Sequence, residues 1–350
     1  MGMTGVAITG VAGFLGQGLV RRLAGGSSPG IPGGTGVSPG IIGLDVADPA
    51  FRPRELEMHR VDVTRAELVP LLEGVEVLVH LAGVHDAIPD EDLMARVNVT
   101  GTRRVLEAAG AAGVGKVILV SSATVYGAWP NNPIPLNEDA PLRPNPGFLL
   151  AVHKAEAERL ASEWGAAHPE AVVTVLRMAT VVGPGADHAL AGLLRSRLPL
   201  GLAGASSPVQ FVHEDDAVEA LALAVAVDLP GVYNVAAEGW LSRDDLRGVL
   251  GRRVQPEVGG ELAERILGRL WRAGVVDLPP SVLPYLTHPW VVAIDRLRAA
   301  GWSPGHSNEE AVLACVEPRP PVARVKLAAA VGVGAGLAAA GMVLGARRRR

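Results

Sequence analysis

An α/β fold, a doubly wound parallel sheet covered by helices on both faces, is predicted by three observations. Short apolar runs alternate with amphipathic helical stretches through the first half of the 350-residue chain. These runs are near-continuous in Val, Ile and Leu, as expected for strands buried on both faces. A glycine-rich turn, TGVAGFLG at residues 9–16, joins the first run to the first helical stretch.

The elements follow in order. GVAITG (5–10) reads as a strand and FLGQGLVRRLA (14–24) as a helix. GIIGLDV (40–46), HRVDV (59–63) and VEVLVHLAG (75–83) read as strands two to four. ARVNVTGTRRVLEAAGAAG (95–113) reads as a long helix and KVILVSS (116–122) as the fifth strand. A helix starting in GFLLAVHKAEAERL (147–160) and a sixth strand, AVVTVLRMA (171–179), complete the pattern. GGSSPGIPGGTGVSPG (25–40) reads as a flexible surface insertion. From Pro184 the pattern loosens, which predicts a boundary at 183 and a smaller α/β lobe over 184–316. A linker follows at 317–326, then an apolar tail at 327–350.

Composition narrows the function. A formal net charge of −4 gives no reason to expect nucleic acid as a partner. One cysteine, Cys315, excludes an internal disulfide framework, and the body of the chain reads as cytoplasmic. The tail has two readings. Leu327 to Ala346 is twenty uncharged residues closed by four arginines, long enough as a helix to span a bilayer core. It is also mostly Ala and Gly, and so reads equally as a flexible extension, with surface association by the arginines a third option.

The turn carries the chemistry. Gly10, Gly13 and Gly16 allow positive φ and close backbone approach, and the amides of Phe14, Leu15 and Gly16 open a helix that can face a pyrophosphate. Asp45 ends the second strand, where a carboxylate can accept from both hydroxyls of an adenosine ribose. It would repel a 2′-phosphate, so the expected cofactor is NAD, with NADP less favoured. Arg52 and Arg54, close behind, weaken that preference.

TGVAGFLG, VDV, HLAG, NVTGT, SSATVYG and HKAEAERL, in this order, together resemble the extended short-chain dehydrogenase/reductase superfamily, which includes nucleotide-sugar epimerases and dehydratases. The likeness runs from about Thr4 to Cys315 and includes FVHEDDAVEAL (211–221) and LRAAGWSP (297–304). It implies a Rossmann-like domain and transient hydride removal from a carbinol. It also implies residue roles. Asp62 and Val63 would hold adenine; Leu81, Ala82 and Gly83 would line the cofactor. Asn98 would bond backbone or water near the site, and Ser122 the substrate oxygen. Met178 stands where such proteins often have a proline beside the nicotinamide.

Lys154 matches the lysine of the family's Tyr-x-x-x-Lys pair, whose ammonium grips the nicotinamide ribose and lowers the pKa of the phenol. Here the tyrosine position is Leu150. Leucine exchanges no proton, and loss of a general acid/base costs about 10²–10⁴-fold in rate. No tyrosine lies between Gly127 and Lys154. Tyr126 belongs to a turn that the family uses structurally, and His153 points about 100° around the helix. His213, Glu214, Asp215 and Asp216 match no zinc spacing and read as an acidic helix cap; no metal is expected.

The sequence thus predicts an NAD-dependent epimerase/dehydratase-like oxidoreductase acting on a nucleotide sugar or other secondary alcohol, with Ser122 and Lys154 as the catalytic residues present. The rival is a non-catalytic dinucleotide-binding regulator or scaffold. A small-molecule substrate is expected, and a homodimer and membrane association through 327–350 stand as options.

Overall fold

The computed structural model describes residues 5–25, 40–196, 201–203, 206–251 and 257–317. Most of the 25–40 insertion, nearly all of the linker and the whole apolar tail lie outside these residues. Among the described residues, no helix is long and apolar enough to cross a membrane.

Six strands appear in the first half: β1 (Gly5–Thr9), β2 (Ile41–Asp45), β3 (Leu56–Arg60), β4 (Val75–His80), β5 (Lys116–Ser122) and β6 (Val172–Met178). Four more follow: β7 (Thr180–Val182), β8 (Gly201–Leu202), β9 (Phe211–His213) and β10 (Gly231–Val235). The main sheet has seven strands in the order β10-β6-β5-β4-β1-β2-β3, and every pairing in it is parallel. Strand order reverses between β1 and β4. The crevice at the carboxyl ends of these two strands is therefore where such a sheet binds ligands.

Side chains alternate across the sheet, and both sides are covered. Val6, Ile8, Ile118 and Leu176 pack on one face with Leu19 and Leu221, from helices Phe14–Ala24 and Glu214–Ala226. Ala7, Leu78, Val117 and Val175 pack on the other with Leu106, Leu160 and Trp164, from helices Thr102–Ala112 and Leu149–Ala167. Double burial explains the continuous apolar runs in the sequence.

Three elements differ from expectation. The third strand lies at Leu56–Arg60 rather than 59–63, because Asp45, the last residue of β2, pairs with Arg60 and leaves no partner strand beyond it. The long helix begins earlier, at Glu91, and passes through a π-helical stretch at Arg96–Gly101. A seventh strand, β10, comes from beyond residue 184 and pairs along β6 from Gly231↔Thr174 to Val235↔Met178. The second half also forms the small parallel pairs β7–β9 and β8–β11, the last strand being Glu257–Val258. His213 caps helix Glu214–Ala226 by accepting from the Asp215 amide. Asp216 of the same cluster accepts from the amides of Gly305 and His306.

Candidate active site

The site begins at the turn after β1. Gly10 has φ +74°, and a Cβ there would fall 2.7 Å from the Ala82 amide nitrogen and from the Leu81 carbonyl carbon. Glycine therefore lets this turn lie directly against the end of β4. A Cβ on Gly16 would sit 2.5 Å from the Gly10 carbonyl oxygen, so only glycine lets the helix pack back on the turn that feeds it. Gly13 is the N-cap of helix Phe14–Ala24, with no side-chain cap and no acidic residue in the first turn. By helix geometry the amides of Phe14, Leu15 and Gly16 have no carbonyl of their own helix to bond. The result is a backbone cradle with a positive dipole end, suited to a pyrophosphate.

Asp45 stands beside this cradle. One carboxylate oxygen accepts from the Ala12 amide at 2.9 Å and the other from Ala47 at 3.0 Å. The turn after β4 is held from below by a polar chain that the sequence did not reveal. Ala82 donates to Thr9 Oγ1. Thr9 Oγ1 and Thr102 Oγ1 lie 2.7 and 2.9 Å from the two ring nitrogens of His80, and Thr102 donates to the Asn98 carbonyl. With that proton committed, Thr102 accepts from His80 Nε2 and Thr9 donates to Nδ1, which assigns the neutral tautomer. Burial pushes the His80 pKa down to about 3, consistent with a neutral ring. Asn98 sits in the π-helical stretch, accepts from the Val84 amide at 2.7 Å and donates back to its carbonyl.

Lys154 comes up from helix Leu149–Ala167 and donates to the Val120 carbonyl of β5 at 2.8 Å. Burial lowers its pKa from the ordinary lysine value to about 8, against a smaller opposing effect of Glu158. Ser122, at the end of β5, accepts from the amide and hydroxyl of Thr124.

The structure brings Gly10, Gly13, Phe14, Leu15, Gly16, Leu81, Ser122, Lys154 and Met178 to the wall of one cavity of about 210 Å³. Asp45, Ala82, Gly83 and Asn98 stand behind or beside that wall, in the contacts given above and, for Gly83, against Asn98 Oδ1. Asp62 and Val63 are placed apart from it. Asp62 accepts from the Thr64 amide and hydroxyl, while Val63 is buried in the core.

Leu150 lines the same cavity one turn before Lys154. It packs with Phe148, Val282, Leu278 and Trp290 in an apolar cluster. None of the three tyrosines is among the residues lining this cavity. Tyr126 is 1% exposed, donates to Asn234 and accepts from Arg177. Arg177 in turn makes a two-pronged ion pair with buried Glu158, which also accepts from Ser121. Tyr285 donates to the Thr124 carbonyl, and burial raises its pKa. Tyr233 donates to Pro230.

The cavity holds titratable groups that sequence reasoning missed: His85, Asp86, His188 and Asp277. Burial, with a smaller contribution from Lys154, lowers the His85 pKa to about 4. Burial raises that of Asp86, which accepts from the Ala189 amide. His188 accepts from Ala191 through Nδ1 and contacts the Val181 carbonyl through Nε2, so its ring is fixed between two backbone groups. The segment VHDAIPD after β4 carried the only local signal. The remaining partners come from residues more than 100 positions away.

Comparison with known proteins bears directly on this arrangement. Residues 6–236 match the model of the NAD dependent epimerase/dehydratase family. The chain belongs to that family. A 3-diazoavenalumate denitrifying reductase from Streptomyces sp is 33% identical over 276 residues, 73% of this chain and 81% of that protein. A dTDP-glucose 4,6-dehydratase from Streptomyces griseus is 30% identical over 270 residues, 71% and 77% of the two chains. Among solved structures, MoeE5 in complex with UDP-glucuronic acid and NAD superposes with a TM-score of 0.68 at 25% identity. It covers 89% of this chain and 97% of its own. The fold is thus shared with a solved structure that carries NAD.

Proposed function

We propose that this protein is an NAD-dependent oxidoreductase of the epimerase/dehydratase type, acting on a nucleotide sugar or another secondary alcohol. The observation that carries the reading is a single one. The glycine cradle, Ser122 and Lys154 converge on one cavity at the point where the strand order reverses.

Gly10 to Gly16 would hold the pyrophosphate, Asp45 the adenosine ribose, and Lys154 the second ribose. The uncapped helix start after Gly13, with no acidic residue in its first turn, fits a pyrophosphate. NAD supplies the capacity to accept a hydride from carbon. The chain's own groups do the rest. Ser122 hydrogen-bonds to the reacting oxygen and fixes its position, while the alcohol's proton passes to solvent water. Lys154 holds an ammonium in a site of lowered dielectric, where its charge favours a developing alkoxide. Its proton is held less firmly than an exposed lysine's, since burial brings the pKa to about 8. Asp45 disfavours the phosphate of NADP.

Residue 150 supplies no proton acceptor, so turnover is slow by the margin a general base ordinarily contributes, about 10²–10⁴-fold. This same residue favours a second reading, a dinucleotide-binding regulator without turnover. Calorimetric titration of the full chain with NAD and NADP tests the first step: NAD binds more tightly, and failure of both to bind overturns both readings. Formation of NADH with a panel of secondary alcohols and nucleotide sugars then separates enzyme from regulator.

A further inference from the structure

A second and larger cavity, about 860 Å³, opens beside the Lys154 cleft and shares Ala87, Phe148 and Pro279 with it. Met94, Phe148, Leu149, Trp271, Leu283 and Pro284 are among its lining residues. Where the two cavities meet, Leu150, Leu278 and Val282 continue the apolar lining up to Lys154.

Cations are few along this lining. Among the described residues lining the two cavities, the lysine and arginine cations are Lys154 and Arg272, against the carboxylates of Asp86, Asp277, Glu91 and Glu264. Helices Glu91–Ala95 and Gly260–Arg272 begin at the wall with acidic residues in their first turn, and helix Leu149–Ala167 begins there with none. Arginines are a usual means of holding phosphate; here they are scarce. The opposite face of helix Gly260–Arg272 exposes Leu262, Ile266 and Leu270, at 50%, 36% and 36%. Apolar surface therefore extends from the inside of the cavity to the outside of the helix that walls it.

Resting on the oxidoreductase reading above, we propose that this cavity takes a hydroxy or keto compound with a long apolar chain. The oxygen lies at Ser122 and the chain runs between Phe148 and Leu283 towards Trp271. Leu150 is then part of the substrate wall, packed with Phe148, Leu278, Val282 and Trp290.

The test uses the full chain, first titrated with NAD. With NAD bound, 2-ketones from hexan-2-one to dodecan-2-one are titrated by calorimetry and by tryptophan fluorescence; they cannot turn over with the oxidised cofactor. UDP-glucose and dTDP-glucose are titrated in parallel. Affinity is expected to tighten roughly fourfold per added methylene until the cavity is filled, with the sugar nucleotides no tighter than about 1 mM. Leu283→Asp should abolish the chain-length trend and Leu283→Met should keep it. A flat or absent chain-length dependence overturns the proposal, and so does micromolar binding of either sugar nucleotide. In both cases NAD binding would leave the oxidoreductase reading standing, whereas failure of the first titration would remove that reading itself.

Discussion

The two ends of the cleft are built in opposite ways. At the β1 end the wall is backbone: amides of the glycine turn, the Asp45 carboxylate held by Ala12 and Ala47, and a buried Thr9–His80–Thr102 chain beneath. At the far end the wall is side chain and largely apolar: Phe148, Leu150, Leu278, Val282 and Trp290, with His188 and Asp277 in the same lining. Lys154 and Ser122 stand where the two meet. The contrast teaches that the two ends suit different tasks: the backbone cradle suits a dinucleotide, and the side-chain lining sets what fits beyond it. Leu150 belongs to the second group, since it packs with its apolar neighbours.

The contrast can be sharpened or broken by substitution. The largest effect is expected from Leu150→Tyr, which restores a phenol one turn before Lys154. NADH formation with an accepted alcohol should rise about 10²–10⁴-fold with little change in NAD affinity. An unchanged rate would mean that proton transfer does not limit this protein.

Gly10→Val attacks the other end. The positive φ alone costs roughly 1–2 kcal/mol, and the new Cβ meets the β4 backbone at 2.7 Å. The urea midpoint should fall and NAD binding should be lost; a variant that binds NAD normally would show that the cradle is not the pyrophosphate site. Lys154→Met removes one charged hydrogen-bond donor from the junction, and NAD affinity should drop about 10–100-fold. If affinity is retained, Lys154 serves only to bond Val120.

A pH series refines that result. The ammonium is present below the lowered pKa of about 8 and is lost above it. NAD affinity should therefore hold from pH 6 to 7 and decline as pH rises through about 8. Lys154→Met should abolish that decline. His80 and His85, pushed down to about 3 and about 4, stay neutral throughout. The smallest effect is expected from Asp45→Ala, which should weaken NAD and improve NADP relative to it by about tenfold, the size of one lost charged contact. An unchanged cofactor ratio would dissociate Asp45 from cofactor choice.

Much of the polar end was legible in the sequence because its signals are local. A strand, three glycines at three-residue intervals and a helix start fall within twelve residues, Gly5 to Gly16. Double-sided burial wrote five of the seven strands of the main sheet, β1, β2, β4, β5 and β6, as apolar runs. The seventh, Gly231–Val235, was missed because five residues outside the alternating half carry no such context. Strand three was misplaced by three residues because its end is set by where β2 stops rather than by its own composition.

Sequence by itself determined the sheet, the glycine cradle, the lysine and the absence of a phenol before it, since each depends on residues within a few positions of one another. Tertiary structure alone decided that Tyr126 is locked by Arg177 and Asn234. It also brought His188 and Asp277 to the same cavity as His85, and lined the far end with apolar side chains. Those facts join residues 50 to nearly 200 positions apart. No periodicity links such residues along the chain; only packing of the later segments against the sheet brings them together.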